Sequence, residues 1–193
     1  MSEARNISEA RSLTDARTIL TAKEMARTLE RLASEIVERR GEDGPLVLVG
    51  IQRRGVDLAR RLKKILDARL SAPVVLGMLD INLYRDDWSN LGISPTISST
   101  EIPAEVEGAS VVLVDDVLFS GRTIRAALEA ILDFGRPRRV ELLVLIDRGH
   151  RELPIQADYV GKRVNTASLE RVDVLVSERD EQDRVVLRSK PAA

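Results

Sequence analysis

Asp115 and Asp116 stand side by side at the end of an apolar run, and Ser120, Gly121 and Thr123 follow in the same stretch, VVLVDDVLFSGRT, Val111 to Thr123. Adjacent carboxylates cannot favour a phosphate, but they suit sugar hydroxyls or a hydrated Mg²⁺. The small hydroxyl-bearing residues suit the opposite partner. Where a helix begins, backbone N–H groups lack intrahelical acceptors and sit at the positive end of the dipole, so an anion binds there, with the Ser120 and Thr123 hydroxyls assisting. Gly121 lets the backbone approach closely. One loop therefore offers grips for a ribose and for its 5′-phosphate.

The elements that must position these groups are legible around them. Val111 to Val114 reads as a buried strand, and Ile124 to Phe134 as an amphipathic helix ended by Gly135 and Pro137. Upstream, Thr21 and Glu24 have capping-box spacing, and Met25, Leu29, Leu32, Ile36 and Val37 recur at helical intervals until Gly41. Leu46 to Ile51 reads as a strand, and Val56, Ala59, Leu62, Ile65 and Leu66 mark the next helix. Further strands are expected at Val74 to Leu83, Val140 to Ile146, Val172 to Val176 and Arg184 to Leu187. This alternation predicts an α/β fold, a mainly parallel sheet flanked by helices on both faces, with ligands at the carboxyl ends of the strands. Tyr84 to Pro103 is charged and then rich in Ser, Asn, Gly and Pro, the composition of a flexible flap.

Composition narrows the chemistry. At 193 residues and 44% hydrophobic content the chain can bury one full core. The expected layout is a polar, mobile tail over residues 1–17 and one domain over 18–193. The absence of cysteine removes disulfides and thiolate nucleophiles and fits a reducing cytoplasm. The tail lacks the apolar core of a signal peptide, and no later stretch approaches membrane-spanning length, so no membrane partner is expected. A formal net charge of -1 excludes a chain that is basic overall but leaves room for a local basic face. His150 is the single histidine, and no G-x-S-x-G elbow accompanies it.

Three further motifs deserve weighing. GIQRRG, Gly50 to Gly55, sets Arg53 and Arg54 in a Gly-bounded turn at a strand end. Planar guanidinium forks suit diphosphate oxygens, although alone the turn reads equally as a solvated basic loop. LYRDD places Arg85 at the start of the flap, where closure would exclude water. DRGHRELPI and ADYVGKRV bring Arg148, His150, Arg151, Lys162 and Arg163 close in sequence. They read either as a basic patch for RNA phosphates, with His150 stacking on a base, or as an ordinary solvated face.

Four apolar residues, two acids and a short loop to Ser-Gly-x-Thr resemble the phosphoribosyl-diphosphate (PRPP) signature of type I phosphoribosyltransferases. Neither a P-loop nor a GxGxxG pattern is present to compete with it. Paired Asp after a buried strand also marks phospho-acceptor domains, and the attached SGRT turn is what separates the readings. From about Thr21 to Val186, the segments GIQRRG, LDINLYRDD, VVLVDDVLFSGRTIRAALEA, DRGHRELPI and ADYVGK resemble the family of pyrimidine-operon regulators that carry uracil phosphoribosyltransferase activity.

That resemblance implies a type I phosphoribosyltransferase fold with a small hood, and the reaction of uracil with PRPP to give UMP and diphosphate. It implies that Asp115 and Asp116 hold the ribose hydroxyls and a substrate-borne Mg²⁺, in part through water. Val117, Leu118, Phe119, Ser120, Gly121, Arg122 and Thr123 would hold the 5′-phosphate, and Arg53, Arg54 and Arg85 the diphosphate. Among these, Arg54, Arg85, Asp115 and Asp116 are the candidate catalytic groups. Arg148 and the backbone around Val172 would face uracil. His150, Arg151 and Lys162 would bind pyrimidine-operon leader RNA in response to UMP or UTP, in a homodimer or homotetramer. Arg53 stands where many members have Thr, Gln156 where they have Arg and Asn165 where they have Pro. Purine-type relatives commonly carry Asp at the position of Phe119, which cannot accept a proton.

Overall fold

The computed structural model of the chain describes residues 16–40, 44–84, 100–103 and 106–189. Residues 1–15 of the tail expected over 1–17, and residues 85–99, Arg85 included, of the flap expected over 84–103, lie outside the described residues.

Strand β1 (Arg17–Thr21) leads into helix α1 (Ala22–Arg40). Thr21 and Glu24 form the capping box: Thr21 N and Oγ1 each donate to Glu24 Oε2 at 2.8 Å, and Glu24 N donates back to Thr21 Oγ1 at 3.4 Å. There follow β2 (Leu46–Ile51), α2 (Arg54–Asp67), β3 (Val75–Leu79), β4 (Ser110–Leu118), α3 (Arg122–Leu132), β5 (Arg139–Asp147) and β6 (Tyr159–Arg163). Strand β7 (Arg171–Leu175), the one-turn helix α4 (Ser177–Asp180) and β8 (Arg184–Arg188) close the chain.

Strands β3-β2-β4-β5-β6 form a parallel sheet in that order. Alternate residues feed opposite faces, as the twofold period of a strand requires. Leu48, Val112, Val114, Leu143 and Leu145 pack with α1 and α2, while Val49, Val111, Leu113 and Val144 pack with Ile124, Ala127 and Ile131 of α3. Because the strands are parallel, GIQRRG, the acid pair and Asp147 to His150 emerge along one edge.

A second, antiparallel sheet, β1-β8-β7, joins the two ends of the described chain. Its Val172, Val174, Val185 and Leu187 share a core with α1 and the main sheet, so the hood is packed onto the domain. Three expectations are corrected here. The strand expected at Val74 to Leu83 ends at Leu79 and gives way to a 3₁₀ turn at Asn82–Tyr84, where Asn82 N donates to the buried Asp80 carboxylate at 2.9 Å. Arg17, placed with the tail, begins β1. Tyr159–Arg163, read only as a basic segment, is the fifth parallel strand.

Candidate active site

At the end of β4 the acid pair leaves the sheet with its carboxylates folded onto its own backbone. Asp116 N donates to Asp115 Oδ1 and Val117 N to Asp116 Oδ1, each at 2.9 Å. Asp115 is 7% exposed. Burial, and then the charge of Asp116, push the Asp115 carboxyl well above its ordinary range. Burial raises Asp116 too, opposed by the positive charge of Arg54. Cationic or hydroxyl-bearing company would offset the cost of ionising carboxyls placed in this way.

Arg54 reaches them because α2 begins hard against β4. A Cβ at Gly55 would overlap the Val114 carbonyl oxygen, so only glycine allows the GIQRRG turn to sit beside the acids. The Gln52–Arg53 peptide is cis, and Arg53 projects into solvent at the cap of α2. Arg54 instead turns to the hood, where its Nη2 donates to both carboxylate oxygens of Asp180 at 2.9 and 3.1 Å. Three more ion pairs join α2 to this turn: Arg61 to Glu178, Arg61 to Asp183, and Arg179 to the buried Asp57.

The loop expected to hold a phosphate is built differently. Gly121 takes φ +93° as the cap of α3, and a Cβ there would lie 3.4 Å from Ile155 and 3.5 Å from Leu153. The helix starts at Arg122, two residues before the expected Ile124, so Arg122 and Thr123 belong to its first turn. Three consecutive carbonyls are held from one side. Leu118 O accepts from Arg148 N at 3.1 Å, and Ser120 O accepts from Glu152 N at 2.9 Å and Leu153 N at 3.2 Å. Phe119 O accepts from Arg151 Nη1 at 2.9 Å. In a planar trans peptide the carbonyl and the following N–H point oppositely, so the N–H groups of Phe119, Ser120 and Gly121 face away from residues 148–153. With the first turn of α3 they present the kind of donor row that suits an anion.

Between the main sheet and the hood lies a cleft of about 470 Å³, lined by Arg54, Asp116, Val117, Val172 and Asp180. Val172 therefore shares a cleft with Asp116. Arg148 does not line it. Its buried guanidinium lies 4.2 Å from the centre of the Phe119 ring and donates to Thr166 Oγ1 and Ala167 O, each at 3.2 Å. Phe119, 38% exposed, thus connects the phosphate loop to Arg148. Of the residues read for RNA, His150 is exposed and bonds Thr166 O through Nε2 at 2.6 Å, and Lys162 donates to Ile19 O at 3.1 Å. The fork of Arg151 is used within the fold.

Asp180 was not singled out by sequence. SERD carries no motif, and its partner Arg54 lies 126 positions away.

Comparison with known proteins gives a phosphoribosyl transferase domain match over residues 15–176. The bifunctional protein PyrR of Pelotomaculum thermopropionicum is 56% identical over 161 residues, covering 83% of this chain and 89% of the relative. The PyrR of Thermus aquaticus is 53% identical over 173 residues, covering 89% and 95%. Among solved structures, the hypoxanthine phosphoribosyltransferase of Trypanosoma cruzi superposes with a TM-score of 0.70 at 22% identity, covering 92% of this chain and 97% of that one. A hypoxanthine-guanine phosphoribosyltransferase of Bacillus anthracis gives 0.68 at 17%, covering 90% and 98%. At such identities these two similarities concern the fold.

Proposed function

The chain belongs to the phosphoribosyl transferase domain family and, within it, to the PyrR proteins, and from that membership we propose that it converts uracil and PRPP to UMP and diphosphate. The observation that carries this reading is the junction of β4 with α3. There an acid pair raised by burial is followed directly by an outward-facing row of amides, and Asp116 and Val117 line a cleft roofed by the hood.

In this reading the amides of residues 119–121 and the first turn of α3 take the 5′-phosphate, and the hydroxyls of Ser120 and Thr123 assist. Asp115 and Asp116 take the ribose hydroxyls. Binding then fixes the sugar so that uracil N1 and C1′ meet in line with the departing diphosphate. The new N1–C1′ bond forms as the C1′–O bond breaks, the electron pair leaves on diphosphate, and the N1 proton passes to the departing diphosphate or to solvent. Phe119 cannot take that proton, so the loop contributes orientation and charge stabilisation. Arg54, Arg53 and Arg85 are assigned to the diphosphate.

Among the described residues no cluster of three or more His, Cys, Asp or Glu could hold a metal alone. The two carboxylates at 115 and 116 fit a Mg²⁺ whose other ligands come from substrate oxygens and water. Bound there, Mg²⁺ supplies neutralisation of the leaving-group charge. Asp115 and Asp116 would hold it, in part through water.

We assign a second activity, binding of pyrimidine-operon leader RNA responsive to UMP or UTP, to the rim carrying His150, Arg151, Lys162 and Arg163. The setting we assign is the cytoplasm, in keeping with a chain without cysteine. Among the described residues no helix is long and apolar enough to cross a membrane. A turnover assay with PRPP, Mg²⁺ and separate bases tests the transferase: UMP formation from uracil is expected, and preference for hypoxanthine overturns the assignment.

A further inference from the structure

Arg148, the charged residue expected to face the base, lies on Phe119 and leaves the cleft to other groups. Besides Asp180, the charged residues on the hood side of the cleft are Arg171, Asp173 and Arg188. In RVDVL the twofold period of a strand sends Val172 and Val174 into the core and puts Arg171 and Asp173 together on the other face. Strand β8 sets Arg188 directly across from Arg171. Like charges opposite one another on a ladder destabilise it, so this pair needs a bridge. Asp173 provides it: Arg171 Nε lies 2.7 Å from its Oδ1, and Arg188 Nε 2.8 Å from its Oδ2.

Two guanidiniums thus share one carboxylate, and the trio keeps a positive charge. The Arg171 side chain is 80% exposed and meets Asp173 through Nε, which leaves its two Nη groups pointing beyond the pair. Among the described residues those Nη groups make no other ion pair. A guanidinium donates hydrogen bonds and accepts none. The wall it forms therefore favours a carbonyl oxygen and disfavours an amino group. Across the cleft stand Asp116 and Val117 of β4, where the transferase reading puts the ribose. A pyrimidine joined to that ribose through N1 turns C4, the ring atom opposite N1, toward the hood. Uracil carries a carbonyl oxygen at C4, whereas cytosine carries an amino group.

We propose that Arg171, aimed by Asp173, donates to the C4 carbonyl oxygen of the base and makes the site select a 4-keto pyrimidine over a 4-amino one. The proposal rests on the transferase reading given above and names the residue that reads the base. Asp173 is a positioning residue: it fixes Nε of Arg171 and so directs the outer fork. Arg188 occupies the second oxygen of the same carboxylate and keeps it from turning.

The test is steady-state kinetics of the full chain at saturating PRPP and Mg²⁺ with uracil, 2-thiouracil and 4-thiouracil. The two thio bases share the sulfur and its size and differ only in which carbonyl it replaces, and sulfur accepts hydrogen bonds weakly. For the wild type, kcat/KM should fall about tenfold further with 4-thiouracil than with 2-thiouracil, the order of effect of a lost charged hydrogen bond. Arg171→Gln should lower kcat/KM for uracil about tenfold or more and shrink the ratio between the thio isomers by a similar factor, while PRPP affinity by calorimetry stays within about twofold. Cytosine, measured as a competitor of uracil, should gain relative to uracil in the same variant, because an amide oxygen accepts from an amino group. Asp173→Asn should shrink the isomer ratio in the same direction by a smaller factor, and it serves if the glutamine variant is unstable. An isomer ratio unchanged in both variants overturns the proposal. An equal loss for all bases marks a merely structural role and also overturns it. Failure of the wild type to form UMP from uracil at all overturns the transferase reading itself.

Discussion

The loop assigned to the 5′-phosphate and the arginine turn assigned to the diphosphate are prepared to different degrees. At the phosphate end, the left-handed Gly121 and carbonyls tethered to Arg148, Arg151, Glu152 and Leu153 leave the amides aimed outward without any ligand. At the diphosphate end, Arg54 is engaged by Asp180 and Arg53 projects into solvent. The first end is a product of backbone geometry and is rigid; the second is made of long side chains that must change partners. The exchange is inexpensive. A partly exposed ion pair contributes about 0–1 kcal/mol, whereas a diphosphate offers several charge-assisted bonds at once. Such a site would capture the 5′-phosphate first and assemble around the leaving group second.

The comparison can be broken or sharpened by substitution. The largest effect is expected from Asp116→Asn, about 10²- to 10³-fold in kcat/KM, the size seen when one preorganised charge-stabilising group is removed. Steady-state kinetics at saturating uracil measures it, and unchanged turnover together with unchanged PRPP affinity would remove Asp116 from the site. Gly121→Ala places a side chain at φ +93° against Leu153 and Ile155. Strain of about 1–3 kcal/mol should weaken UMP and PRPP together by roughly 5- to 150-fold, read by calorimetric titration. Equal loss for both ligands marks the shared phosphate end. Asp180→Asn should act only at the other end, lowering the KM for PRPP by no more than about fivefold while UMP affinity stays put. A higher KM would mean that Asp180 aims Arg54 instead of restraining it.

The smallest effect concerns stability. The carboxyls of Asp115 and Asp116 are raised by burial, so the folded chain keeps protons that the unfolded chain has lost. Their contribution is fully present below the ordinary Asp range and is lost as pH rises through the raised values. Asp115→Asn should flatten that decline in the ligand-free melting temperature across mildly acidic to neutral pH. A steeper decline would contradict the protonated pair.

Much of the phosphate end was legible in sequence because it is local. An apolar strand, two acids, a glycine and a helix period lie within one short stretch, and glycine is the residue that a left-handed cap requires. The hood was harder to read. β1 pairs with β8 from the opposite end of the chain, Arg17 with Leu187 and Thr21 with Arg184, and no local period announces such a partner. Tyr159–Arg163 hid as a strand because its edge position lets it carry Gly161, Lys162 and Arg163. Arg151 was read by its charge alone, and charge does not say where a guanidinium fork is used. The same limit concealed Asp180.

Crystal structures with UMP and with Mg·PRPP test the asymmetry most directly. The account predicts the 5′-phosphate on the amides of residues 119–121 and the start of α3 in both complexes, with that backbone unmoved, and the Arg54–Asp180 pair intact with UMP but parted with Mg·PRPP. A phosphate lodged elsewhere, or an Arg54 still held by Asp180 when diphosphate is bound, would contradict it.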